Sequence, residues 1–270
     1  MKKKDYIFGT HSEELNRLGY QHRVWLKETI SAWEEAGIGK GATVIDLGSG
    51  PGFASIDLAY LVGDSGKVIS VDKSSIFIEY LNNYAEGLSL NNVDGVLQDL
   101  QNFDLKSNIA DFAYARWVFS WVKNPKGIIQ RIDKSLKPGA KFIVQEYSNW
   151  DALAMEPSSS EFEAFYNAAR KSFDLDEGDV NIGYKIPQYF NDLNYKIDSI
   201  KPLIKVGRPN SLTWNWISSF VDIYGKLLIS RELLSEENYD AFKLKIKGLS
   251  DKNDAFFSTP QMIQIIATKQ

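Results

Sequence analysis

The stretch Val44-Ile45-Asp46-Leu47-Gly48-Ser49-Gly50-Pro51-Gly52 is a short apolar run that ends in an acid and then sets three glycines at alternate positions. It reads as a strand entering a glycine turn that opens a helix, where backbone can close on a ligand because no Cβ intervenes. A second apolar strand, Val68-Ile69-Ser70-Val71, ends in Asp72, twenty residues past Gly52. At that spacing an acid can take two vicinal ribose hydroxyls, so the pair of strands implies a nucleoside-containing ligand.

The glycine spacing narrows the ligand. A dinucleotide fingerprint, G-x-G-x-x-G, would put its third glycine at position 53, where Phe53 stands. A Walker phosphate loop needs a Gly-Lys-Ser/Thr tail that Pro51-Gly52-Phe53 does not supply. The remaining pattern, D-x-G-x-G-x-G, resembles the first motif of the class I S-adenosylmethionine (AdoMet)-dependent methyltransferases, whose second strand ends in an acid like Asp72. Four further segments resemble later motifs of that family, in order: Val96-Leu97-Gln98-Asp99-Leu100, Ala110–Arg116, Leu136-Lys137-Pro138-Gly139-Ala140 turning into Lys141–Glu146, and Gln261–Ala267.

The resemblance implies an α/β fold: a doubly wound, mostly parallel seven-stranded sheet with an antiparallel last strand and a helical lid. It also implies AdoMet as cofactor, with S-adenosylhomocysteine (AdoHcy) as product. Asp46 would order the glycine loop, and Gly48, Ser49 and Gly50 would let backbone approach the cofactor's amino acid end. Asp72 would bind the ribose diol with Lys73 beside it, Asp99 would meet the adenine amino group, and Leu100 would flank the ring. Arg116 and Trp117 would contact the methionine portion, Arg116 through its backbone.

The rest of the chain fits one domain over 1–270. Thr10-His11-Ser12-Glu13 suits a capping box, and Leu15, Leu18, Trp25 and Trp33 form an imperfect apolar stripe, predicting a helix over 12–36 within an N-terminal cap of 1–40. A cofactor-binding core spans 41–150, with Ser74 capping the helix after Asp72. Helix is expected over 157–172 and strand over 197–206, where Pro202 argues against a central position. Residues 208–255 form an insertion carrying Trp214, Ile217, Val221, Tyr224 and Leu228 at helical spacing, and 256–270 the last strand.

Composition sets outer bounds. The chain is 44% hydrophobic and 24% charged, an ordinary globular balance, with 31 basic and 35 acidic residues interspersed. No basic stripe marks a nucleic-acid partner. No run of eighteen apolar residues or apolar leader is present, so a cytoplasmic protein without membrane insertion is expected. With no cysteine and two histidines, no metal site is expected. No catalytic base is assigned: His11, His22, Glu146 and Tyr147 are candidates, and alignment with desolvation alone can suffice. The leading expectation is methyl transfer to a small organic molecule; a protein or RNA substrate, or AdoMet binding without catalysis, are the alternatives. Oligomeric state and the acceptor atom are not read from the sequence.

Overall fold

The computed structural model describes residues 12–270. Thr10 and His11, half of the expected capping box, lie outside the described residues.

Helix α1 (Ser12–Ala36) leads into β1 (Thr43–Leu47), α2 (Phe53–Val62), β2 (Lys67–Asp72), α3 (Ser75–Gly87), β3 (Val93–Leu97), β4 (Ala110–Arg116), α4 (Pro125–Ser135) and β5 (Leu136–Asn149). There follow β6 (Ala154–Glu156), α5 (Ser160–Leu175), α6 (Ile186–Asp192), β7 (Tyr195–Leu203), β8 (Val206–Gly207), α7 (Leu212–Ser230), α8 (Glu236–Gly248), β9 (Phe256–Ser258) and β10 (Gln261–Lys269). Local sequence sets many of the boundaries. The side chains of Ser74, Asn124, Ser159, Ser211 and Ser235 each accept a backbone N–H in the first turn of their helix.

Seven strands form one sheet in the order β3-β2-β1-β4-β5-β10-β7. β10 runs antiparallel to both neighbours, and the β1–β5 pairs are parallel. Pro202 lies on β7, an edge strand, where a missing ladder N–H is tolerated. The central strands bury side chains on both faces. Val44, Val68, Tyr114 and Ile143 meet α1 and α2, while Ile45, Val71, Ala113 and Phe142 meet α4 and α6.

The imperfect stripe on α1 has a physical explanation. Its buried positions include Glu14, Arg17, His22 and Thr29 alongside Val24, Trp25, Ala32 and Trp33. The helical period is intact, but polar groups with partners occupy part of it.

Three expectations are corrected. Residues 256–270 are not one strand: Phe256–Ser258 is the middle strand of a second sheet, β6-β9-β8, and β10 begins only at Gln261. Thr259 and Pro260 make the break, Thr259 bonding Lys205 through both backbone and side chain, and Pro260 lacking a ladder donor. The strand expected over 197–206 ends at Leu203, and Val206–Gly207 joins that second sheet. Leu136–Ala140 already pairs as part of β5, with a register shift against β4.

The helical layer also draws on more chain than 208–255. Helices α5, α7 and α8 share one apolar cluster with Trp25, Trp117, Tyr147 and Trp150. All five periodic residues of α7 are buried in it. Among the described residues, no helix is long and apolar enough to cross a membrane.

Candidate functional site

The strand order reverses between β1 and β4, and at such a switch point the crevice beyond the carboxyl ends of the strands receives ligands. A cavity of about 280 Å³ lies there. All ten residues singled out from the sequence line it: Asp46, Gly48, Ser49, Gly50, Asp72, Lys73, Asp99, Leu100, Arg116 and Trp117.

The glycine loop is folded as the turn demands. Gly50 has φ +55°, and the space where its Cβ would stand is open, so backbone is bared to the cavity. At Gly52, φ is +84° and a Cβ would meet Leu81 Cδ1 at 2.1 Å, so this glycine lets α2 pack against α3. Asp72 ties loop to strand: its Oδ2 accepts the Gly50 N–H at 2.9 Å and its Oδ1 the Ser74 N–H at 2.8 Å. Asp99 is exposed at the mouth and caps a short turn by accepting from Gln101 N–H at 2.9 Å, while Leu100 is buried.

Asp46 shares the sheet face of Val44 and points at α2, where Ser55 Oγ donates to its Oδ2 at 2.6 Å. Burial pushes its carboxyl up to about 7, opposed by the Ser55 bond and the charge of Arg116. Between the ordinary carboxylate value near ~4 and about 7, the folded chain therefore keeps a proton on Asp46 that the unfolded chain has released. This contribution lowers stability as pH rises through that window and levels off above it. We expect wild type to lose stability relative to Asp46→Asn as denaturant unfolding is repeated from acidic to neutral pH; a constant difference would refute the shift.

Arg116 turns toward α1. It donates to Thr29 Oγ1 at 2.8 Å, meets His22 Nδ1 at 3.3 Å and stands 5.4 Å from the Trp117 ring centre. His22 Nε2 lies 2.8 Å from Asp57 Oδ2. Burial, reinforced by Arg116, lowers the His22 pKa despite Asp57, so the neutral ring donates to Asp57 and accepts from Arg116. Both nitrogens are thus engaged in structure, which argues against the general-base role considered for this histidine. Behind it, Thr29, Tyr114, Gln145 and Gln264 continue a buried hydrogen-bond network between α1 and the sheet.

The other half of the cavity is aromatic. Trp117, Trp121, Tyr147, Trp150, Trp216 and Phe220 line it. Trp117 and Trp216 stack with ring centres 5.7 Å apart, and Trp25 meets both edge-on. Trp117 holds φ +54°, a left-handed conformation that costs a bulky residue about 1–2 kcal/mol. Glu146 secures the turn: its Oε1 accepts the N–H groups of both Val118 and Phe119, the latter at 2.5 Å. These converging donors form an anion nest filled by the protein's own carboxylate. Glu146 does not line the cavity, because its position on β5 faces away from the cavity-lining side of Tyr147. Burial pushes it up to about 7.

Sequence reasoning did not single out Arg17, which lines the cavity while forking onto Glu14 at 2.7 Å and donating to Gln21 at 2.8 Å. Gln21 also accepts from Trp216 Nε1 at 3.3 Å, joining α1 to α7. The i,i+3 pair Glu14/Arg17 on the buried stripe is the signal that could have revealed it. Among the described residues, no group of three metal-ligating side chains stands together.

The methyltransferase-domain family model matches residues 38–192. An uncharacterised protein of a Streptomyces fradiae transposon is 27% identical over 168 residues, 62% of this chain and 47% of that protein. The ubiquinone/menaquinone biosynthesis C-methyltransferase UbiE of Pseudoalteromonas translucida is 28% identical over 128 residues, 47% of this chain and 50% of that protein. The chain spans about half the length of the curated relatives it matches. Among solved structures, a putative methyltransferase from Bacillus halodurans aligns with TM-score 0.61 at 16% identity, covering 90% of this chain and 99% of that one. A geranyl diphosphate C-methyltransferase from Streptomyces coelicolor, solved with Mg²⁺, geranyl diphosphate and AdoHcy, aligns with TM-score 0.58 at 15% identity, covering 99% and 90%. With the ordered motifs, the reversed strand order and the antiparallel β10, these matches place the chain in the methyltransferase-domain family, with the fold of the class I S-adenosylmethionine-dependent methyltransferases.

Proposed function

We propose that this chain transfers a methyl group from AdoMet to a small organic molecule held in the aromatic half of the cavity. The observation that carries the reading is a single cavity lined at once by the glycine loop with its acids and by the tryptophan cluster under α7. The residues present suit the cofactor: backbone is bared at Gly50, Asp72 retains free acceptor lone pairs beside it, and Leu100 offers an apolar face near the exposed Asp99. Asp72 with Lys73 would take the ribose, Asp99 and Leu100 the adenine, and Asp46, Gly48, Ser49 and Gly50 the amino acid end. Trp117 would stand at the methyl end, with Arg116 behind it.

When bound, AdoMet supplies an activated methyl on a sulfonium. The chain's own work is to orient the acceptor in line with that methyl and to exclude water, and the buried aromatic wall suits both tasks. The names of UbiE and of the geranyl diphosphate enzyme support a small-molecule acceptor. Calorimetric titration with AdoMet, AdoHcy and NAD tests the cofactor; we expect micromolar binding of the first two and none of NAD. A labelled-methyl screen of small molecules then tests the acceptor. Binding of NAD alone would overturn the reading, and labelling confined to protein or RNA would overturn the small-molecule assignment.

A further inference from the structure

We propose that the acceptor is a flat apolar molecule bearing a hydrogen-bond-accepting oxygen, and that the Tyr147 hydroxyl donates to that oxygen and orients the molecule in the chamber. The inference rests on the methyl-transfer reading of the site and adds the chemical class of its acceptor.

Tyr147 sits near the carboxyl end of β5, where backbone pairing with Met262 of β10 fixes it. Its side chain is buried and lines the cavity. The ring lies 5.8 Å from that of Trp117, tilted by 43°, and 6.1 Å from that of Trp150 at 90°. Trp117, Trp121, Trp216 and Phe220 line the same cavity, an aromatic lining that selects a flat apolar body.

Of the other polar groups of this half, the indole Nε1 of Trp117 is buried without a partner, whereas Arg17 and Trp216 are committed. Arg17 uses its guanidinium nitrogens on Glu14 and Gln21, and Trp216 Nε1 donates to Gln21. The indole of Trp150 stands against the Tyr147 hydroxyl, and because an indole N–H can only donate, the tyrosine proton is not taken there. Burial raises its pKa above the ordinary tyrosine value, aided by neighbouring Glu146, so the hydroxyl keeps its proton and acts as donor rather than base. A ligand oxygen that accepts this proton gains a hydrogen bond inside an apolar chamber. This arrangement discriminates between two ligands of the same shape that differ only in that oxygen.

The test uses such a pair. 2-Acetylnaphthalene and 2-isopropenylnaphthalene share a shape and differ in C=O against C=CH₂. Their dissociation constants are measured by equilibrium dialysis against wild type and Tyr147→Phe, each saturated with AdoHcy. The expected result is that the preference of wild type for the ketone, relative to the alkene, exceeds that of Tyr147→Phe by about five- to tenfold, the range of one net hydrogen bond. An equal ratio in both proteins overturns the hydroxyl's role, and failure of both probes to bind overturns the acceptor class. Tyr147→Phe keeps the ring contacts, so an unchanged melting temperature and AdoHcy affinity separate a lost hydrogen bond from a damaged fold. If wild type fails to bind AdoHcy, the methyl-transfer reading itself fails; the probe comparison, repeated without AdoHcy, still decides the hydroxyl's part.

Discussion

Glu146→Ala is expected to destabilise the protein by about 2–5 kcal/mol, the cost of leaving two buried N–H groups without an acceptor. Those groups belong to Val118 and Phe119, and both end on one carboxylate oxygen. Water has little access to replace it, since Glu146 and Phe119 are fully buried. Loss of the acceptor also frees Trp117 from its left-handed backbone, so the stacked pair Trp117/Trp216 should lose its fixed geometry. Two measurements check this: the denaturant midpoint, and near-ultraviolet circular dichroism, to which rigid stacked indoles contribute strongly. Glu146→Gln keeps an oxygen that can accept both N–H groups and should retain most of the stability and the aromatic signal. An alanine variant as stable as wild type, with the same aromatic spectrum, would show that the nest does not hold the wall.

Asp72→Ala is expected to weaken AdoHcy binding about 10- to 100-fold, since each tenfold step is 1.4 kcal/mol and a stranded buried polar group costs about 1–3 kcal/mol. Two effects combine. The variant loses the carboxylate proposed for the ribose diol, and it loses the anchor that fixes Gly50 and Ser74 by their N–H groups. Asp72→Asn separates them: its amide oxygen can still accept one backbone N–H, while the charge and the second acceptor are gone, so it should fall between alanine and wild type. Burial holds the Asp72 carboxyl above its ordinary pKa, opposed by the Ser74 and Gly50 bonds. Occupation by a ligand that hydrogen-bonds the ionised form would draw the pKa down, so affinity should rise with pH through the acidic range. Calorimetry across that range reads both effects. Unchanged affinity in Asp72→Ala would refute the assignment of this acid.

Much of the fold was legible because its signals are local. A short apolar run before glycines, an acid closing the second strand and serines at helix starts are short-range features, and β1, β2, α3 and β4 appear where those signals put them. The imperfect α1 stripe was legible as a helix but not as a polar seam. The partners of Thr29 and His22 are Gln145, Arg116 and Asp57, all distant in sequence. The short strands Ala154–Glu156, Val206–Gly207 and Phe256–Ser258 carried no pattern of their own. Each is two or three residues long, and only pairing across about fifty to a hundred residues of chain makes them strands.

The same division holds in the site. The sequence by itself determined the glycine turn, the acids at the ends of β1 and β2, and the alternation of strand and helix that makes a parallel sheet with right-handed crossovers, because strand, turn and helix are each encoded within a few neighbouring residues. Only the tertiary structure decided what each side chain faces. It turned Glu146 from a candidate base into the filling of a backbone nest, committed both nitrogens of His22 to Asp57 and Arg116, and put Trp117, Tyr147, Trp150 and Trp216 around one chamber. These outcomes depend on contacts between residues far apart in the chain, and successive positions of one strand point to opposite sides of the sheet. Identity and spacing fix which groups are available, while burial and distance decide which of them meet.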